Sequence, residues 1–257
     1  MNNKTIVITG SASGIGAATA AYYRKAGHKV IGVDIKNADV VADLSTKHGR
    51  KNAIEAINEI AEEHIDGLIC CAGLGVTAPS SRLIIEVNYF GAVDIIKSLI
   101  PSLKQAEKPV ITIVGSFAAV QQLAAPEILS KALLANDHAV IEQTLSDISG
   151  PHVAYSASKY ALTVYCRTQA VTLGKLGIRI NVVAPGAVTT PLHQASLDDP
   201  RFGSAVKNFV APMGAHTEPE QIAKTIAFLQ SSAASFIHGS VLFVDGGMDA
   251  MLRPNQF

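Results

Sequence analysis

The chain has no tryptophan, and its aromatic residues amount to only 5%. Its three cysteines are too few for a disulfide framework, and two of them, Cys70 and Cys71, are adjacent. Charge is scarce: charged residues make up 16% of the chain, with 21 basic side chains offsetting 21 acidic ones. A neutral chain without a basic stripe is not built around nucleic acid. No apolar run is long enough to span a bilayer. The eight histidines are scattered without metal-ligand spacing, so no metal site is expected. Met1-Asn2-Asn3-Lys4 leads straight into an apolar strand and lacks the apolar core and cleavage site of a secretory leader. A reduced cytoplasmic protein is expected, with neither nucleic acid nor membrane as partner.

What is present is apolar sequence, 48% of 257 residues, enough for a sizeable single core. Short Val- and Ile-rich runs alternate with longer amphipathic ones. Strands are expected at Thr5–Thr9, Lys29–Val33, Gly67–Cys71, Val110–Val114, Arg179–Ala184 and Val241–Val244. Helices are expected at Ile15–Ala26, Lys51–Glu63, Ile84–Ser98, Ser156–Leu173 and Pro219–Leu229. This alternation predicts an α/β fold: one Rossmann-like, doubly wound parallel sheet with helices on both faces. Two connections are unusual. Asp34 to Val40 leaves little room for a crossover helix, so a bare loop to a short strand at Val40–Ala42 is expected. Residues 117–154 are longer than the fold needs and carry a helix-like stretch at Pro126–Leu145, which reads as a helical insertion.

The first strand runs into Gly10-Ser11-Ala12-Ser13-Gly14-Ile15-Gly16, and a helix comes next. Such a helix start offers free N–H groups and a positive dipole end to a pyrophosphate, and the glycines let the backbone approach it. A plain tight turn is the alternative. Asp34 closes the second strand, where a carboxylate accepts the adenosine ribose hydroxyls and repels a 2′-phosphate. Position 13 is Ser rather than a basic residue. Both features favour NAD over NADP, although Lys36 lies nearby. Asp43, followed by Leu44, comes after the short third strand and is placed to meet the adenine amino group. It serves equally as a surface turn residue.

Tyr155 and Lys159 stand four residues apart, on one face of a helix. A phenol near pKa 10 exchanges protons poorly at neutral pH, and a neighbouring ammonium is expected to pull it down. Tyr155 is therefore the candidate general acid/base, with Lys159 tuning it and holding the nicotinamide ribose. Ser116 comes after the strand Val110–Val114, at the carboxyl end where open α/β sheets bind ligands. It is placed either to polarise a substrate oxygen or to cap the next stretch of chain. Asn88 sits inside an expected helix, which Asn does not favour. A backbone kink and an ordered water in a proton relay would account for it.

Taken in order, Thr9-Gly10, Gly14, Gly16, Asn88, Ser116, Tyr155, Lys159, Asn181-Val182-Val183-Ala184-Pro185-Gly186 and Val244-Asp245-Gly246-Gly247 resemble the short-chain dehydrogenase/reductase family over essentially the whole chain. The resemblance implies NAD(P)-dependent oxidation of an alcohol or reduction of a carbonyl, with Asn88, Ser116, Tyr155 and Lys159 as a catalytic tetrad. It also implies nicotinamide contacts at Val188 and Thr190. Where the family has Asn-Ala-Gly, this chain has Cys71-Ala72-Gly73, still at the cofactor. The long stretch between Ser116 and Tyr155 precedes the helix through which most members assemble, so it is expected to block or replace that interface. A homodimer is expected.

Residues 187–213 fall where the family keeps its substrate lid. Leu192, Leu197, Phe202, Val206, Phe209 and Met213 make that segment apolar, either to face a flat apolar substrate or simply to pack the lid. The first expectation is an NAD-dependent dehydrogenase for a hydroxysteroid or a similar hydrophobic alcohol or ketone. The second is an enzyme of the same family for a small secondary or terpenoid alcohol. The third is a catalytically silent dinucleotide sensor.

Overall fold

The structure is a computed structural model that describes residues 3–62, 64–120, 126–147, 150–214 and 216–256. Among these, seven strands form one parallel sheet in the order β3-β2-β1-β4-β5-β6-β7. The strands are β1 (Thr5–Thr9), β2 (Lys29–Asp34), β3 (Val40–Val41), β4 (Gly67–Cys70), β5 (Val110–Val114), β6 (Arg179–Pro185) and β7 (Val241–Val244). Between β1 and β2 lies α1 (Gly14–Lys25), and α2 (Lys47–Ala61) connects β3 to β4. α3 (Ser81–Ile85) and α4 (Gly91–Leu103) precede β5, and α5 (Pro126–Ala135), α6 (His138–Asp147) and α7 (Pro151–Lys175) precede β6. α8 (Pro191–Asp198), α9 (Gly203–Asn208) and α10 (Pro219–Gln230) lie between β6 and β7, and α11 (Met248–Leu252) comes last.

Strand residues alternate between the two faces, which explains the Val/Ile-rich runs. Val7 belongs to the core that holds Ile57 of α2, Ile96 of α4 and Leu162 of α7. Ile6 and Ile8 belong to the opposite core, with Tyr23 of α1 and Ile226 of α10. Every residue of β1, β4 and β5 is buried. The strand order reverses between β1 and β4, which places a ligand crevice beyond their carboxyl ends. No helix among the described residues is long and apolar enough to cross a membrane.

The expected architecture is present, with corrections to its elements. β3 pairs only through Val33↔Val40 and Asp34↔Val41, so the short loop before it returns merely to the end of β2. α2 begins earlier than expected, because Thr46 caps it by accepting the Gly49 amide at 2.9 Å. α7 also begins earlier, at Pro151, where a preset φ suits the first helical position. The single helix expected at Ile84–Ser98 is interrupted by a π-helical turn, Glu86–Phe90. The helix-like stretch Pro126–Leu145 is two helices. Asn136 takes φ 54° and ends α5, and Asp137 starts α6 by accepting the Val140 amide at 3.1 Å.

Candidate active site

A cleft of about 1010 Å³ opens beyond the carboxyl ends of the strands. Gly10, Ser13, Gly14, Ile15 and Gly16 line one end, and Asp34, Asp43 and Leu44 form the rim beside them. Cys71, Ala72, Gly73, Ser116, Tyr155, Lys159, Val188 and Thr190 line the remainder. Asn88 does not line it, being wholly buried beneath.

The glycine loop is shaped by close backbone approach. A Cβ on Gly10, which has φ +69°, would stand 2.7 Å from the Ala72 backbone, and one on Gly16 would stand 2.0 Å from the Gly10 carbonyl oxygen. Ser13 is the N-cap of α1 yet makes no side-chain cap bond, whereas Thr46, Ser80 and Thr190 each cap their own helices. The start of α1 thus faces the cleft without a side chain capping it, as an anion-receiving helix end should. Asp34 binds this loop directly through Oδ2, which accepts the Ala12 amide at 2.9 Å, while Oδ1 accepts the amide of its own neighbour Ile35 at 2.7 Å. These residues fit a dinucleotide.

At the opposite end, Tyr155 and Lys159 project from α7 and Ser116 from the segment after β5. Tyr155 and Ser116 both face the cleft, where the Ser116 hydroxyl lies near the phenol. Burial raises the Tyr155 pKa, and the nearby Ser116 hydroxyl opposes the rise. The net shift is thus upward rather than the downward one expected from Lys159, because burial is the largest influence on the phenol. Lys159 Nζ donates to the Val114 carbonyl at 2.9 Å, and burial lowers its own pKa to about 8. Cys71 and Cys70 pull the ammonium weakly the other way. The Cys71 thiol is pushed up to about 12 by burial, which favours the protonated thiol at neutral pH.

Asn88 occupies the middle of the π turn, an irregularity that concentrates at functional sites. Its Oδ1 accepts the Leu74 amide at 2.7 Å, and Nδ2 donates to the Leu74 carbonyl at 3.1 Å and to Ser158 Oγ at 3.2 Å. It therefore ties the cleft-lining loop after β4 to α7. A Cβ on Gly73 would lie 3.4 Å from Asn88 Oδ1 and 3.5 Å from Lys159 Nζ, so the two polar groups flank that glycine.

The lid crosses the cleft on α8 and α9. Thr190 packs over Gly14, and Leu192 over Gly75, where a Cβ would lie 3.0 Å from the leucine. Leu192, Phe202 and Val206 line the cleft; Phe209 instead packs on Phe117 with ring centroids 5.7 Å apart, and Met213 is 88% exposed. The expected lid wall thus divides into cleft-facing, packing and solvent-facing residues. His152 and His193 also line the cleft, and nothing in the sequence pattern singled them out. His152 precedes Tyr155 by three residues, a helical spacing that would have placed it on the same face.

A family model described as Enoyl-(Acyl carrier protein) reductase matches residues 10–249. The chain is 43% identical over 254 residues to 3-alpha-hydroxysteroid dehydrogenase/carbonyl reductase of Comamonas testosteroni, covering 98% of this chain and 99% of that one. It is 31% identical over 252 residues to D-threitol dehydrogenase of Mycolicibacterium smegmatis, covering 96% and 93%. Its structure matches that of the 3-alpha-hydroxysteroid dehydrogenase from Pseudomonas sp. B-0831 complexed with NADH, with a TM-score of 0.96, 49% identity, and coverage of 99% and 100%. With that fold, this cleft and these relatives, the chain belongs to the short-chain dehydrogenase/reductase family and is an oxidoreductase acting between alcohol and carbonyl.

Proposed function

We propose that the chain is an NAD-dependent dehydrogenase of a 3α-hydroxysteroid or a similar hydrophobic secondary alcohol, working reversibly with the ketone. The observation that carries this reading is that Ser116, Tyr155 and Lys159 line the same cleft as the lid side chains Leu192, Phe202 and Val206. The names of the Comamonas and Pseudomonas relatives support the steroid. The D-threitol relative keeps a small polyol as the competing class, but an apolar wall suits an apolar substrate better.

The dinucleotide, when bound, supplies the hydride acceptor or donor. Ser116 Oγ holds the substrate oxygen. In oxidation Tyr155 Oη, as the phenolate, takes the hydroxyl proton as the carbonyl forms, and in reduction the phenol gives that proton up. Lys159, kept in place by Val114, holds the nicotinamide ribose and keeps positive charge near the phenol as negative charge develops there. Asn88 positions α7 through Ser158 and the Gly73–Leu74 edge through Leu74. Asp34 accepts the adenosine ribose hydroxyls, and its charge selects NAD over NADP. Ser13 to Gly16 receive the pyrophosphate, Val188 and Thr190 the nicotinamide amide, Asp43 and Leu44 the adenine.

The protein works in the cytoplasm as a homodimer. Free Cys70, Cys71 and Cys166 support a reducing compartment. Strand β7 is a sheet edge with Leu242 exposed, and Phe236, a few residues before it in the chain, is fully exposed, which supports pairing there. The insertion formed by α5 and α6 packs on α7, the helix most family members use for assembly. NADH formation with purified protein tests the reaction, using 3α- and 3β-hydroxysteroids, small secondary alcohols and terpenoid alcohols, each with NAD and NADP. Selective NAD reduction by a 3α-hydroxysteroid is expected. Turnover only with the other alcohols would discard the steroid.

A further inference from the structure

The turn at residues 43–45 leaves β3, enters α2 and takes its shape from that helix. Asp43 Oδ1 accepts the Ser45 amide at 2.9 Å, and the Thr46 hydroxyl donates to the Asp43 carbonyl at 3.3 Å. Gly49 lies against the same carbonyl, where a Cβ would come within 2.0 Å of its oxygen. One residue further, Arg50 reaches back to the turn: Nη1 donates to the Leu44 carbonyl at 3.0 Å. The same guanidinium donates from Nε to Asp94 Oδ2 at 2.8 Å and from Nη1 to Glu86 Oε2 at 3.1 Å.

Arg50 is 2% exposed. A buried guanidinium costs desolvation that its ion pairs repay only when geometry and hydrogen bonding are good, and an apolar side chain often serves packing as well or better. Its acceptors come from three places: the cleft rim, the start of the π turn and α4. Two carboxylates grip a rigid planar fork, and that grip sets the direction of the N–H aimed at Leu44. Leu44 is braced from the other side as well, since a Cβ on Gly91 would meet its Cβ at 3.4 Å and its carbonyl oxygen at 3.5 Å. Arg82 shares Glu86 and continues to Glu142 of α6, but makes no bond to the rim.

We propose that Arg50 is a positioning residue for the adenine end of the dinucleotide: held by Glu86 and Asp94, it fixes the Leu44 carbonyl and with it the Asp43–Leu44 rim. This rests on the proposed function, in which the rim receives adenine. Calorimetric titration with NADH and with reduced nicotinamide mononucleotide, which lacks the adenosine half, separates the two claims. Wild-type protein binds NADH far more tightly than the mononucleotide. Arg50→Met weakens NADH binding about tenfold, as expected when a charge-assisted hydrogen bond is lost, and leaves the mononucleotide within about twofold. With a 3α-hydroxysteroid, the same variant raises KM for NAD while kcat changes little. Arg50→Lys, whose single ammonium cannot serve all three acceptors, falls between, and it decides alone if Arg50→Met does not fold. Arg82→Met matches wild type on both ligands. A variant that loses affinity for both ligands equally, or keeps the wild-type ratio while losing only thermal stability, overturns the proposal for Arg50. A wild-type ratio near one overturns the adenine rim itself, and the Arg50 proposal with it.

Discussion

Lys159 Nζ donates to the Val114 carbonyl across 2.9 Å and so ties α7 to the carboxyl end of β5. Ser116 lies two residues beyond Val114, and Tyr155 lies one helical turn before Lys159. One buried hydrogen bond therefore helps hold the elements that bring these two hydroxyls into the same cleft.

Removing the Tyr155 hydroxyl tests the proton transfer with little change in packing. Tyr155→Phe is expected to lower kcat by roughly 10²- to 10⁴-fold, the usual range for a general acid/base. NADH affinity, read by the cofactor's own fluorescence in a chain without tryptophan, should stay near wild type. A kcat close to wild type would remove Tyr155 from the acid/base role.

Asp34 has two tasks that Asn separates. Asp34→Asn keeps an acceptor for the Ala12 amide but discards the charge. The preference for NAD over NADP in kcat/KM should shrink about tenfold in both Asp34→Asn and Asp34→Ala, with binding of both cofactors weaker in the alanine variant. Unchanged discrimination would mean that selectivity lies elsewhere, with Lys36 the first place to look.

The buried Lys159 ammonium makes stability depend on pH with a defined sign. Its pKa is lowered from 10.5 to about 8, so between those values the unfolded chain binds more protons than the folded one. Stability linked to this group therefore rises as pH increases through that window and is lowest below it. At neutral pH the penalty is on the order of 3 kcal/mol. Lys159→Met escapes it but loses the bond to Val114. The Tm difference, variant minus wild type, should be constant around neutral pH and fall steadily from pH 8 to 10. The raised pKa of Tyr155 is present in both proteins and largely cancels. A pH-independent difference would show that the ammonium is not held at a desolvation cost.

Gly75→Ala probes the lid. The new Cβ would lie 3.0 Å from Leu192, whose side-chain end is able to give way. The stability change should stay within about 0.5 kcal/mol. KM for the alcohol should change severalfold while KM for NAD does not. Equal changes in both would place the Leu192 contact in cofactor binding rather than substrate binding.

Legibility tracked the range of the forces. The glycine loop is readable because its constraint is local: Gly10, Gly14 and Gly16 sit between an apolar strand and an amphipathic helix. Tyr155 and Lys159 are readable from helical spacing, and Ser116 from its place after a strand. The break at Asn136 is hidden because Pro126–Leu145 keeps its apolar rhythm across a positive-φ residue. The π turn is legible only as a kink, since Asn88 betrays an irregularity without saying which.

The sequence by itself determined the alternation of strands and helices, the doubly wound sheet and the types of residue gathered at its carboxyl edge. These arise from periodicity, turn chemistry and the handedness of crossovers, all of which act over short stretches of chain. Only the tertiary structure decided where the side chains point and what they touch. It took Asn88 out of the cleft and bonded it to Leu74 and Ser158, turned Lys159 to Val114, and split the lid into cleft-facing and outward residues. It also reversed the expected shift of Tyr155. Burial and long-range partners set ionisation and orientation, and neither is encoded in the neighbours of a residue along the chain.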